Sequence, residues 1–487
     1  MIEQDATLSL FSARLPLWNV ADLPEPPPPT FCNKVRFAGP GAILLAISIG
    51  AGEWLLGPAI AVQYGPGLLG IVTLGIVAQL FFNLEAIRYT LYTGEPIYGG
   101  FLRLRPGPRF WTPFYIGLVF VQQAWPAMAA SAAIPLVAIF CGDLPTARYA
   151  PFLHWITILL FLVALLLLCF GGTVERMLEI LSKLMVGLVL SFLLVVNVFF
   201  VPWEVWGRTL WGFSQVANVR GDIDWPLLGA LAATAAAGGL PNLTITNWMR
   251  DKGYGMGSRT GAIPSAFGGS RVQVSPFGTV FNLTEANLQR WRAWTRFVHF
   301  DQIWVWAGGA FLGMYFNVNL AMGVIPPGTK MSGMAIGVYQ AKYMAETLWE
   351  GFWALALLNG FWILFSTLLG NTDMVARTVT DLLWTGSERL RSTRGVKVQS
   401  IYYAIAVFYT SLGIVLSQFA TPLTFVKIIA NLGGLVMVIG GIQILLVNRK
   451  LLPPVLQPAW WRKLGLAGCV IFYAAFQLRI GASLLGV

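Results

Sequence analysis

Apolar residues along this chain come in long unbroken runs rather than in strict alternation with polar ones. A helix needs about 20 residues to cross roughly 30 Å of hydrocarbon. Runs of that order recur at 38–62, 68–93, 110–140, 149–170, 177–201, 225–249, 298–322, 351–376, 399–418, 422–447 and 461–484, which predicts eleven membrane-spanning helices. Continuous runs argue against a β-barrel, whose strands alternate between lipid and lumen. The run 225–249 is rich in Gly, Ala and polar residues, and 335–350 reads as an amphipathic helix at the outer surface.

Composition narrows the class further. Of 487 residues 56% are hydrophobic and 11% charged, against about 25% charged in a soluble domain, so 37–487 is expected to be one bundle in lipid. Residues 1–36, with Glu3, Asp5 and the run PEPPPPT, carry no apolar core behind a basic start. They read as a flexible cytoplasmic tail rather than a signal peptide. With that tail inside, most Lys and Arg, from Lys34 and Arg36 through Arg377 to Arg462 and Lys463, fall on the cytoplasmic side, and Arg148, Arg208, Arg220, Lys330 and Lys342 fall outside. Positive residues stay inside in short loops, so an outward C-terminus and a plasma (inner) membrane location are expected. The net charge of +11 is thereby spread over loops facing anionic lipid, and no nucleic-acid partner is implied.

Cys32, Cys141, Cys169 and Cys469 are far apart and form neither a metal spacing nor a disulfide framework. No Ser-His-Asp set, paired catalytic carboxylates or Cys/His cluster is present, and the Gly-rich stretch after Arg250 lacks the ending of a phosphate loop. The expectation is a protein that is not an enzyme and has no cofactor.

Lipid tolerates broken helix only where backbone is packed in protein or lines a cavity. Two spans are interrupted near their middles, the first at Gly50-Ala51-Gly52-Glu53 and the sixth at Gly238-Gly239-Leu240-Pro241-Asn242. Gly and Pro cost about 1 and 3 kcal/mol in a helix interior. Interrupted segments at matching places in two halves point to a transporter binding site, if helices one to five and six to ten are inverted repeats. Glu53 is the single residue that argues most strongly for function, since a mid-membrane charge is costly without a partner or a cavity; a buried structural ion pair is the other reading.

The segments GPGAILLAISIGAGEWLLGP and NLEAIRYTLYTGEPI resemble the first two helices of the Nramp (natural resistance-associated macrophage protein) family. FGGTVERMLEILSKLMVGLVLSFLLV is similar to that family's fourth loop and fifth helix, GGLPNLTITN to its broken sixth helix, and FSTLLGNTDMVARTV and VNRKLLPP to parts of the eighth and tenth. The resemblance implies an all-α membrane protein of LeuT-like fold in the APC superfamily, an inverted 5+5 helix repeat with an eleventh helix and with the first and sixth helices broken. It implies ion or solute transport by alternating access.

The family's metal-binding motifs are altered. Its Asp-Pro-Gly-Asn falls on Gly50, Ala51, Gly52 and Glu53, and its Met-Pro-His aligns with Gly239-Leu240-Pro241, so a thioether and a His are missing. The expected binding residues are Gly50, Ala51, Gly52 and Glu53 with Ala236, Gly239, Leu240, Asn242 and Thr244. Glu53 and Asn242 would be metal ligands, an all-oxygen set that suits Mg²⁺ or Ca²⁺ better than Mn²⁺ or Fe²⁺. The third helix has no acidic residue, only Gln122 and Gln123, which either bind substrate or bridge helices. Glu85 and Arg88 read as an internal pair or a gate, Lys427 and Asn431 as able to face the cavity, with Lys427 equally able to reach toward the interface by its long stem, and Asp373 as neutralising Arg377. The partners expected are a small ion or solute and the lipid bilayer. A symporter for another solute and a non-transporting membrane sensor remain as alternatives.

Overall fold

The computed structural model describes residues 15–170, 172–216, 224–267, 274–330, 333–417, 419 and 422–484. Helices occupy all eleven expected positions. The first span is Gly39–Ser48 and Gly52–Tyr64, the second Gly70–Thr93, the third Pro108–Gln123 and Ala127–Cys141, the fourth Ala150–Leu167 and the fifth Val174–Phe200. The sixth is Trp225–Thr234 and Leu240–Lys252, and the seventh runs on through Glu285–His299, Phe300–Ala307 and Gly308–Val324. After the separate helix Gly333–Thr347 come Gly351–Gly386, Val398–Leu416, Pro422–Leu451 and Trp460–Leu484. Among the described residues eight helices are long and apolar enough to cross a membrane alone, and the bent first pair makes a ninth. The sixth and seventh positions fall outside that count.

Burial sorts these helices. The most apolar stretches of spans two and eight are 61% buried, those of four and eleven only 22%. Spans two and eight therefore build the centre around the broken helices, and four and eleven present their apolar faces outward.

Two boundaries differ from expectation for identifiable reasons. The eighth span, expected to stop at 376, continues to Gly386. Its polar residues find buried partners: Arg377 lies between Asp373, at 2.9 Å, and Asp251, while Asp381 takes Arg250 at 2.9 Å. Arg377 is thus a wholly buried helix residue rather than a loop residue, and its pairing with Asp373 is as expected. The third span has a break of its own at Ala124–Pro126, because Pro126 has no N–H to continue the ladder.

Part of the expected tail is docked. Asn19–Val20 pairs in parallel with Thr279–Val280, Leu23 is fully buried, and Arg290 and Trp294 donate to the carbonyls of Leu23 and Pro24. Arg103 donates to the Pro16 carbonyl at 2.8 Å and lies 4.5 Å over the Trp18 ring. Beneath them Glu95 accepts from Trp18, Tyr89, Arg103 and the Gly278 N–H. Burial alone would raise this carboxyl, but the Arg103 guanidinium and the other donors hold it below its ordinary value of 4.5. A free tail over 1–36 is therefore corrected for Leu15–Pro24, whose apolar and aromatic side chains have surfaces to cover. Residues 1–14 lie outside the described residues.

Candidate functional site

The first span leaves helical geometry at Ile49, with ψ 82°, and resumes through a π-turn over Gly52–Leu56, its halves bent by 41°. The sixth leaves at Ala235, with ψ 96°, passes through Ala236, Gly238 and Gly239 at φ of 87°, 66° and 88°, and resumes at Leu240 with Pro241 in its first turn. Pro is tolerated there because first-turn N–H groups lack helical partners. The left-handed Ala236 is the one non-glycine of its kind among the described residues. The two breaks face each other closely: a Cβ on Gly52 would lie 2.5 Å from the Thr234 carbonyl oxygen, so only glycine allows this approach.

Three side chains brace the breaks. Glu53 is fully buried; its Oε2 accepts from the Gly50 N–H at 3.1 Å and its Oε1 from the Ala236 N–H at 3.2 Å. The carboxylate thus takes donors that the unwound backbone left without partners. Gln79 of the second span accepts from the N–H groups of Ala237 and Gly238 at 3.0 Å and donates to the Ala235 carbonyl at 2.8 Å. Gln122 donates to the Gly238 carbonyl at 3.2 Å and accepts from the Leu240 N–H at 3.1 Å.

Between the breaks lies a cavity of about 40 Å³. Its polar lining is Ser48, Gln123, Thr234, Thr367 and Asn371, with the backbone around Ala51, Gly52 and Ala236–Gly238, and Met128 enters from the third span. The Oε1 of Gln123 is buried without a protein partner. Of the residues expected here, Ala51, Gly52, Ala236 and Gln123 line the cavity; Gly50, Glu53, Gly239, Leu240, Asn242 and Thr244 do not. Gly50 and Leu240 serve through their N–H groups, and Gly239 starts the second half of span six.

The expected metal pair is not assembled. Asn242 donates to Gln79 and Asn83 on span two, and Thr244 meets Thr378 on span eight at 2.9 Å. Among the described residues no three His, Cys, Asp or Glu lie together as a metal site would need.

The remaining candidates fall elsewhere. Val426, Ile429 and Ala430 of the tenth span line the cavity, whereas Lys427 turns to Asp224 at 3.4 Å in a partly exposed pair. Asn431 donates to the Pro226 carbonyl at 3.4 Å. Neither faces the cavity, since the helix turns them toward the start of span six. Glu85 and Arg88 form the expected pair at 2.8 Å, and Arg462 joins at 2.5 Å.

A second polar feature went unpredicted. Asp301, fully buried in the π-segment of the seventh span, accepts from the Gly41 N–H at 2.9 Å and from Gln302 Nε2 at 2.7 Å. Gln302 accepts from Asn83 at 3.0 Å, and Asn83 accepts from Asn242 at 2.9 Å. The signal was available: a carboxylate inside the predicted span 298–322 calls for the same explanation as Glu53.

No protein-family model matches this sequence, and no curated protein matches it in sequence. Solved structures do. A crystal structure of a single-residue variant of the Eremococcus coleocola manganese transporter aligns over 96% of this chain and 90% of its own, with TM-score 0.63 and 13% identity. The same transporter in complex with an aromatic bis-isothiourea substituted compound aligns over 98% and 90%, with TM-score 0.62 and 14% identity. At such identity the likeness is one of backbone architecture: the chain has the LeuT-like fold of that transporter, two inverted five-helix repeats and an eleventh helix with the first and sixth broken.

Proposed function

We propose that this protein is a secondary-active transporter that carries a small cation, largely stripped of its water, through the cavity between the two breaks by alternating access. The observation that carries the reading is the cavity itself, set where two helices come apart opposite each other. The first halves of both spans end there, at Ser48 and Thr234, so their C-terminal carbonyl dipoles favour positive charge. Neutral oxygens of Ser48, Gln123, Thr234, Thr367 and Asn371 can replace hydration, and Glu53 behind them holds the Gly50 and Ala236 N–H groups in place.

Size restricts the cargo. A water needs about 10–15 Å³ of such space, so the cavity holds about three. A fully hydrated Mg²⁺ is too large for it, and Mg²⁺ sheds water reluctantly. Met128 is among the lining residues, and a thioether is a ligand type that transition metals accept; the like-folded protein is a manganese transporter. The Mg²⁺ preference suggested by an all-oxygen set therefore gives way to a cation that dehydrates more easily. The N-terminal segment is taken as cytoplasmic, in line with the distribution of Lys and Arg.

The test is flux into proteoliposomes from a panel of Mn²⁺, Mg²⁺, Ca²⁺, Na⁺ and K⁺, with Asn371→Leu as the cavity variant. Uptake of one ion that Asn371→Leu reduces supports the reading. If no ion moves or binds, the reading fails.

A further inference from the structure

The first half of the opening span, Gly39–Ser48, is fastened to the seventh span near both ends: Trp306 donates to Ser48 Oγ at 2.9 Å beside the break, and Gly41 meets Asp301 at the start. Gly41 approaches so closely that a Cβ there would lie 2.5 Å from the Asp301 carbonyl oxygen, and its N–H donates to Asp301 Oδ1 at 2.9 Å. Gly41 stands in the first turn, where N–H groups have no helical acceptor and the helix dipole favours an anion.

The other oxygen is occupied too. Oδ2 accepts from Gln302 Nε2, and from there bonds run through Asn83 and Asn242 to Gln79, which holds Ala237 and Gly238 in the break of span six. Asp301, Gln302, Asn83, Asn242 and Gln79 are all fully buried. The amides of Gln302, Asn83 and Asn242 each donate toward the carboxylate, so the row is oriented for an anion at its end.

An ionised carboxylate offers about four lone-pair positions, and these two donors use one on each oxygen. A proton entering on a remaining position neutralises the acceptor, and bonds to a charged acceptor are roughly twice as strong as those to a neutral one. Protonation therefore weakens both bonds. Weakening the first loosens the start of the half-helix; weakening the second loosens the row leading to span six.

We infer that Asp301 is a proton-binding site that latches the first half of span one: ionised, it holds the half-helix shut, and proton uptake frees it to swing and open the cavity. This rests on the transporter reading above. The proton comes from water admitted at the face carrying the N-terminal segment. Charged and titratable groups around the site are Glu179 and Lys183 of span five, paired at 2.6 Å, with Lys252 also on Glu179. Tyr254 follows span six, His299 precedes Asp301 on its own helix, and Lys34 lies 5.9 Å over the Phe300 ring. On span two Glu85 is paired with Arg88 and Arg462.

Hydrogen exchange of the full chain in lipid nanodiscs, read by mass spectrometry over pH 5 to 8, tests the latch without knowledge of the cargo. Exchange of Gly39–Ser48 is divided by that of Val398–Leu416, which cancels the intrinsic pH dependence. In the wild type this ratio should rise as pH falls, by up to about tenfold per unit for a one-proton latch. Asp301→Asn should give a raised ratio that no longer changes with pH, and Asp301→Glu should restore the change. A flat wild-type ratio, or an unaltered pH response in Asp301→Asn, overturns the inference. The wild-type measurement decides the matter even where the variant does not fold. Failure of every ion in the flux panel would instead remove the transporter reading and leave the exchange result standing.

Discussion

Glu53 and Ala236 belong to different broken helices, and the carboxylate of the first accepts the backbone N–H of the second at 3.2 Å. The same carboxylate holds Gly50 in its own break, so one side chain fixes both unwound segments. Replacing one of its oxygens by an amide NH₂ sets donor against donor. Glu53→Gln is expected to cost about 1–3 kcal/mol, read as a lower Tm in detergent. A melting temperature equal to that of the wild type would show that the carboxylate does not brace the breaks.

Ala236 holds φ 87°, a conformation that costs an L-residue about 1–2 kcal/mol. Ala236→Gly removes that strain and adds freedom to the unfolded chain, worth about 0.5–1 kcal/mol in the other direction. A net gain of up to about 1 kcal/mol is expected, seen as a higher Tm. A loss of stability would mean that the methyl group contributes packing that outweighs the backbone term.

At Gly52 the opposite holds, because a methyl group would lie 2.5 Å from the Thr234 carbonyl oxygen. Gly52→Ala should push the breaks apart and destabilise the protein by about 1–3 kcal/mol. Its flux in the ion panel should fall with it. Normal melting and normal flux together would contradict the close approach.

Glu95 gives a pH dependence with a definite sign. Its carboxyl is held below the ordinary value of 4.5 in the folded protein, so its contribution is fully present above that pH. The contribution is lost as pH falls below 4.5 through the lower folded value. Proteolysis near Leu15–Pro24 should accelerate over that acid range, and Glu95→Gln should be cut faster at neutral pH with a weaker acid response. Equal cleavage of the two proteins across the whole range would separate Glu95 from the docking of this segment.

Much of the fold was legible because lipid imposes a simple rule. Unbroken apolar runs gave the helices, and Gly and Pro in spans one and six gave the breaks, since nothing else in the sequence weakens a ladder so strongly. The break at Ala124–Pro126 carries the same signal in one residue, Pro126. Side-chain direction was not legible. Asn242 sits one residue beyond Pro241 at the break, yet the turn of the new helix sends it to Asn83 rather than to the cavity. Lys427 adjoins Val426, a lining residue, but turns to Asp224. Neither Met128 nor Asn371 could be placed at the cavity from hydropathy, because each lies in a span whose rotation only packing sets.

The stretch from Leu15 to Pro24 is stitched to the loop ahead of the seventh span by a short parallel strand and by Arg290 and Trp294. An affinity handle or fluorescent fusion placed before Leu15 would thus hang from a fixed post. Its position would report on the seventh-span side of the molecule, and a reporter meant to follow the first half of the first span belongs after Pro24, nearer to Gly39.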